Sequence, residues 1–114
     1  MTSPITTHVL DTARGAPAAG VRVALHRESD TGTWTRVGEG STDADGRLRT
    51  LLAPGALSAG AYRIAFEVGA YFRSQNVDAF WREVTIEFVV GAEEGHYHVP
   101  LLVSPFGYST YRGS

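Results

Sequence analysis

Three stretches of this chain alternate apolar and polar side chains with a period of two, and that periodicity sets the fold class. In V-R-V-A-L-H-R-E, Val21, Val23 and Leu25 share one face while Arg22, Ala24 and His26 share the other. A-Y-R-I-A-F-E-V groups Tyr62, Ile64, Phe66 and Val68 opposite Arg63 and Glu67, and E-V-T-I-E-F-V-V groups Val84, Ile86, Phe88 and Val90. Successive side chains of a strand leave opposite faces, so each run predicts an antiparallel-type strand with one face buried and one wet. Turn chemistry separates the runs, in R-G-A-P-A-A-G (14–20), D-A-D-G (43–46), A-P-G (53–55), G-A-E-E-G (91–95) and S-P-F-G (104–107). The last is short enough to make H-Y-H-V-P-L-L-V-S and Y-S-T-Y-R-G-S the two arms of a hairpin. Only Y-F-R-S-Q-N-V-D-A-F (71–80) is expected to hold a short helix, without a strong cap. Seven or eight short strands in one domain spanning 1–114 predict an all-β sandwich.

A chain of 114 residues buries only roughly two-thirds of the surface its unfolded form exposes. It supports one core and leaves little to wall off a deep pocket, so catalysis at this size points to a site shared between subunits. The formal net charge of −2 provides no attraction for nucleic acid or an acidic membrane, and neither is expected as a partner. All ten cations are Arg and none is Lys, which excludes a Schiff-base lysine and a phosphate-loop lysine. The absence of Cys removes thiol nucleophiles, disulfides and cysteine-ligated zinc. M-T-S-P-I-T-T-H has neither the basic nor the apolar segment of a secretory signal, no stretch is long enough to span a bilayer, and R-G-S is not a peroxisomal address. A cytoplasmic location is expected.

Chemistry concentrates on few residues. His8, in I-T-T-H-V-L-D, shares a strand face with Thr6 and Leu10. His96 and His98, in H-Y-H-V-P-L-L, share one face while Tyr97, Val99 and Leu101 take the other; His26 lies on the outward face of its strand. Two imidazoles at i and i+2 begin a metal site, but the sequence marks no third ligand and no supporting shell, so neither a metal nor another cofactor is expected. D-A-D-G-R (43–47) lacks the further ligands and closing Glu of a calcium loop. It reads as a tight turn presenting Arg47, either as a surface cation or as a planar fork for a carbonyl-rich ligand. There is no G-x-S-x-G elbow, and G-E-G-S (38–41) lacks the third Gly of a dinucleotide loop.

I-T-T-H-V-L-D-T-A-R-G-x-P near the start, T-D-x-D-G-R in the middle and H-Y-H-V-P-L-L-V-S-P-F-G-Y-S-T-Y-R-G-S at the end together resemble the 5-hydroxyisourate hydrolases, the enzymatic members of the transthyretin-like proteins. The resemblance runs in order from about residue 4 to 114. It implies a transthyretin/prealbumin-like sandwich of two four-stranded sheets with one short helix. It also implies a homotetramer whose sites lie in a channel through the dimer–dimer interface. The implied reaction converts 5-hydroxyisourate, a small-molecule substrate, to 2-oxo-4-hydroxy-4-carboxy-5-ureidoimidazoline in urate degradation, without cofactor. Carried over residue by residue, the catalytic positions are His8, Arg47, His98 and Ser114, and the substrate-binding positions are His8, Arg47, Tyr111, Arg112 and Gly113. His96 is not among them. Arg82 stands where many relatives carry Pro.

The residue types suit such chemistry. Neutral imidazoles are bases near pH 7, a guanidinium balances developing negative charge, and Gly113 lets the backbone bend close to a ligand. On this reading, residues appended after Ser114 abolish turnover and leave the fold intact. Two alternatives predict otherwise. A non-catalytic transthyretin-like protein that binds a small apolar ligand has no need of two His and an Arg in its channel. A structural or adhesive sandwich tolerates changes at its C-terminus.

Overall fold

The computed structural model describes residues 3–92 and 95–114. The first two residues of M-T-S-P-I-T-T-H and the two Glu of the G-A-E-E-G turn lie outside the described residues. In chain order the strands are β1 (Ile5–Asp11), β2 (Ala16–Pro17), β3 (Arg22–Glu28), β4 (Trp34–Ser41), β5 (Arg47–Leu48) and β6 (Gly60–Phe66). One helix, α1 (Val68–Ser74), precedes β7 (Val84–Val90), β8 (Tyr97–Ser104) and β9 (Gly107–Thr110).

The strands form the expected two-sheet sandwich. The second sheet runs β4-β3-β6-β7, antiparallel throughout, and contains the three alternating runs. The first runs β2-β1-β8-β9 with β5 also paired to β1. Counted strand by strand it has five members. However, β2 and β5 share one edge of β1, β5 at Thr7 and His8 and β2 at Leu10 and Asp11. Any line across the sheet therefore crosses four. The hairpin of β8 and β9 forms around S-P-F-G. Between β1 and β8 the pairing is parallel, from Ile5 opposite Tyr97 to Asp11 opposite Val103. Parallel neighbours need a long crossover, and here the whole second sheet supplies it.

Inward side chains of both sheets make one core. Ile5 and Val9 from β1, Leu101 from β8, Leu25 from β3 and Ile64 and Phe66 from β6 have no exposed surface. Each such side chain contributes about 1.5–3 kcal/mol on burial. Asp11, buried at the end of β1, is fully partnered: it accepts the Tyr71 hydroxyl at 2.8 Å and the N–H groups of Ala13 at 3.1 Å and Arg14 at 3.2 Å. These bonds tie α1 to the first sheet.

The helix lies at 68–74, not within 71–80. Val68, grouped above with the strand residues, is the first residue of α1 and packs inward with Gly69, Tyr71 and Phe72. The helix stops because Asn76 adopts φ 59, letting Val77 N–H reach the Phe72 carbonyl at 2.9 Å and Asn76 N–H the Arg73 carbonyl at 3.0 Å. That left-handed cap is usually a Gly, so Gln-Asn in its place hid the stop. Arg82 keeps a defined path with no Pro there, its carbonyl accepting Gly69 N–H at 3.0 Å. Among the described residues no helix is long and apolar enough to cross a membrane.

Candidate active site

Registers place the site on the outer face of the first sheet. Thr6 pairs with His98, His8 with Pro100, and His8 with Arg47 across the other edge of β1. Paired residues leave a sheet on the same side, so Thr6, His8, Arg47 and His98 share one face while Ile5, Val9, Tyr97 and Val99 fill the core.

The turn before β5 is built to hold Arg47. Asp43 accepts the N–H groups of Asp45 at 2.9 Å and Arg47 at 3.0 Å. The bond from Arg47 is the chief reason its carboxyl lies below the usual value of 3.8. Gly46 has φ 76, and a Cβ there would sit 2.4 Å from the Val9 carbonyl oxygen, so only Gly fits. Its own carbonyl accepts Val9 N–H at 2.7 Å, pinning the turn beside His8. His8 Nε2 donates to the Asp45 carbonyl at 2.9 Å. A carbonyl only accepts, so Nε2 carries the proton and Nδ1 is the basic nitrogen of neutral His8.

The tail completes the arrangement. After β9 ends at Thr110, the chain returns so that Gly113 N–H donates to the His98 carbonyl at 2.8 Å. Ser114 thereby joins Thr6, Thr7, Arg47, Arg49, His96 and His98 around an open cleft of about 340 Å³. The Thr6 hydroxyl lies 2.9 Å from His98 Nδ1 and 3.3 Å from His96 Nε2. Burial first, then the electrostatic cost of adding a charge beside His8, Arg47 and His96, hold the His98 pKa below 6.5, with the Thr6 backbone acting in the opposite sense. His98 is therefore a neutral base at pH 7. Among the described residues no group of three or more His, Cys, Asp or Glu is arranged to hold a metal ion.

A family model described as HIUase/Transthyretin matches residues 5–113. The chain belongs to this family. It is 51% identical over 114 residues to a 5-hydroxyisourate hydrolase of Deinococcus radiodurans, covering 96% of this chain and 95% of that one. It is 46% identical over 110 residues to the 5-hydroxyisourate hydrolase of Salmonella typhimurium, covering 96% and 80%. The solved Klebsiella pneumoniae 5-hydroxyisourate hydrolase superposes with a TM-score of 0.84 at 37% identity over all of both chains. Sea bream transthyretin in complex with thyroxine superposes with a TM-score of 0.92 at 32% identity, covering 96% and 94%. The backbone is thus common to the hydrolase and to the thyroxine-bound transthyretin, and side chains must separate them.

The residues expected from sequence divide into two groups. Arg47, His98 and Ser114 line the cleft, Gly113 backs it, and His8 flanks it on the same face. Tyr111 and Arg112 line a separate apolar groove of about 240 Å³ between the sheets, where the Arg112 guanidinium stands 4.5 Å from the centre of the Tyr97 ring. His26 belongs to a third hollow of about 370 Å³ on the second sheet. The Arg residues in that hollow are ion-paired, Arg22 and Arg36 with Glu39 at 3.6 and 3.0 Å and Arg63 with Glu87 at 3.3 Å, and Glu67 and Glu83 line it as well. The cleft is distinguished by its lining, which holds Arg47, Arg49 and two imidazoles and, among the described residues, no Asp or Glu; the Asp43 carboxylate lies 4.0 Å from Arg49.

Sequence reasoning missed Thr6, Thr7, Arg49 and His96 as lining residues. For Arg49 a signal existed, since alternation in R-L-R (47–49) puts it on the face of Arg47.

Gly113 provides a local test. A Cβ there would lie 2.5 Å from His98 Cδ2 and 3.2 Å from Cγ, and the ring is held from its other edge by Thr6. Gly113→Ala is expected to displace the imidazole or the tail and to lower kcat at least tenfold, by the usual sensitivity of catalysis to ångström-scale misplacement of about 10²-fold. Thermal melts should barely change, because no core contact is involved. A variant with unaltered kinetics would show that the tail does not position His98.

Proposed function

We infer that this chain hydrolyses 5-hydroxyisourate, opening its six-membered ring to yield 2-oxo-4-hydroxy-4-carboxy-5-ureidoimidazoline in urate degradation. Membership of the family and near-full-length similarity to named 5-hydroxyisourate hydrolases support the reaction. One observation carries the site: Arg47, His98 and Ser114, from a turn, a strand and the tail, meet at one cleft beside His8.

In the proposed mechanism neutral His98 takes a proton from water through Nε2, the ring nitrogen that faces no protein partner among the described residues. The water oxygen bonds to the ring carbonyl carbon, and negative charge moves onto the carbonyl oxygen. Arg47 stabilises that charge, as preorganised donors do best in a site of limited water. The ring C–N bond then breaks, and the proton passes to the departing nitrogen, with the Ser114 hydroxyl placed to assist. His8 orients the water through Nδ1. Metal-free water activation of this kind contributes about 10²–10⁴-fold from the base.

The cleft is shallow within one protomer, so we also propose that the working form is a homotetramer whose channel encloses it. Val89 and Tyr111, 76% and 60% exposed beside the apolar groove, are surfaces that such contacts would cover. The proposed part of Tyr111 and Arg112 in substrate binding depends on that assembly. Light scattering in solution measures it directly.

The ligand-carrier reading predicts an apolar lining, whereas two Arg and two His line this cleft. The deciding experiment adds purified protein to freshly generated 5-hydroxyisourate and follows its ultraviolet absorbance. Decay accelerated over buffer alone is expected; decay at the buffer rate would return the chain to the carriers.

A further inference from the structure

Thr6 is only 5% exposed, yet both partners of its hydroxyl are imidazoles on the segment entering β8. We propose that Thr6 is a positioning residue that sets the tautomer of His98 and joins it, through one hydroxyl, to the exposed imidazole of His96. This deepens the hydrolytic reading above and rests on it.

A hydroxyl has a single proton to donate and lone pairs with which to accept. Set between two ring nitrogens, it can accept from one and donate to the other. With His98 Nδ1–H donating to Thr6 Oγ1 and Oγ1–H donating to His96 Nε2, the proton of neutral His98 sits on Nδ1. Its Nε2 then offers a lone pair to the cleft. The reverse order would put hydrogen on Nε2 and remove the base. The shorter distance, 2.9 Å against 3.3 Å, is on the His98 side.

The same hydroxyl gives the proton an exit. When Nε2 takes a proton from water, the Nδ1 proton moves to Oγ1 as the Oγ1 proton moves to His96 Nε2. The sum is one proton transferred from water to His96, leaving His98 neutral with its hydrogen on Nε2; when that hydrogen passes to the departing nitrogen, a proton returns along the relay to Nδ1 and the starting tautomer is restored. His96 is exposed and can hand that proton to solvent. The groups facing His98 are His8 on β1, His96 at the far end of the relay, Arg47 on β5 and, just beyond it, Arg49, which lies 4.0 Å from the Asp43 carboxylate; the fixed guanidinium charges favour moving the proton outward. Ser114, the remaining neighbour from the tail, is uncharged in its side chain. Accumulating charge beside two guanidinium groups is unfavourable, and the solvent end of the relay is where it is best hydrated.

Three measurements test the relay. Thr6→Val keeps the shape and removes the hydroxyl, and kcat should fall about 10–100-fold, the range seen when an orienting partner of a functional His is lost. KM should stay near its original value, and Thr6→Ser should recover most of kcat; a Ser variant as impaired as Val would overturn the role. His96→Gln preserves hydrogen-bonding reach without titrating. Its kcat should drop in dilute buffer and recover with added imidazole, and a rate indifferent to buffer would overturn the exit path. Nitrogen-15 NMR of the ligand-free wild type should find the His98 proton on Nδ1; a proton on Nε2 would overturn the tautomer assignment. That last measurement involves no substrate and stands even if 5-hydroxyisourate is not turned over, so failure of the relay and failure of the assigned reaction are separable.

Discussion

His98→Asn is expected to lower kcat by about 10²–10⁴-fold, the contribution of a well-placed general base, with little change in Tm. Asn places its amide near the position of Nδ1, so the hydrogen bond to Thr6 survives. It has no atom where Nε2 stands, so the water loses its base. The backbone of residue 98 continues to pair with Thr6 and to accept Gly113 N–H. Stopped-flow decay of 5-hydroxyisourate beside a circular-dichroism melt reads both quantities. Retention of the wild-type rate would take His98 out of the mechanism, and a matching collapse of Tm would make its role structural.

Arg47→Gln should cost about 10²–10³-fold in kcat, the range for removing one stabiliser of a developing oxyanion, and should also move the pH profile. Protonated His98 cannot act as a base, so activity is lost as pH falls through its pKa, which lies below 6.5. Arg47 is one of the cations that disfavour protonation of His98. Removing it raises that pKa, so the acidic limb of the rate profile should shift to higher pH. The limb should remain below 6.5, because burial, the largest cause, persists. Rate profiles of both proteins, with NMR titration of the His98 ring, measure the shift. An acidic limb that stays put or moves to lower pH would deny electrostatic contact between the two side chains.

Gly113→Ala and Thr6→Val perturb the same imidazole from opposite edges, and the two variants are expected to be non-additive because both act through His98. A double mutant that loses the product of the single effects would place them on independent parts of the site.

The three alternating runs became β3, β6 and β7 because a period of two allows only one way to bury Val23, Leu25, Ile64 and Phe66 together. The D-A-D-G turn was equally legible, since Asp43 accepts from its own neighbours and Gly46 takes the left-handed conformation that the turn needs. The helix was misplaced because its stop depends on Asn76 in a conformation usually reserved for Gly. Arg47, His98 and Ser114 could be named from motifs, but nothing local indicated that Tyr111 and Arg112 would turn to another groove within the protomer.

Local chemistry therefore determined which segments extend, where the chain turns and which residue types are present for catalysis. Those properties depend on side chains within a few positions of one another. The tertiary structure alone decided that β1 and β8 run parallel, which sets Thr6 beside His98 across 92 positions of chain. It also decided that Gly113 folds back onto that same imidazole. Such contacts arise when distant strands share a core, and their cost and gain appear only once the whole sandwich has closed.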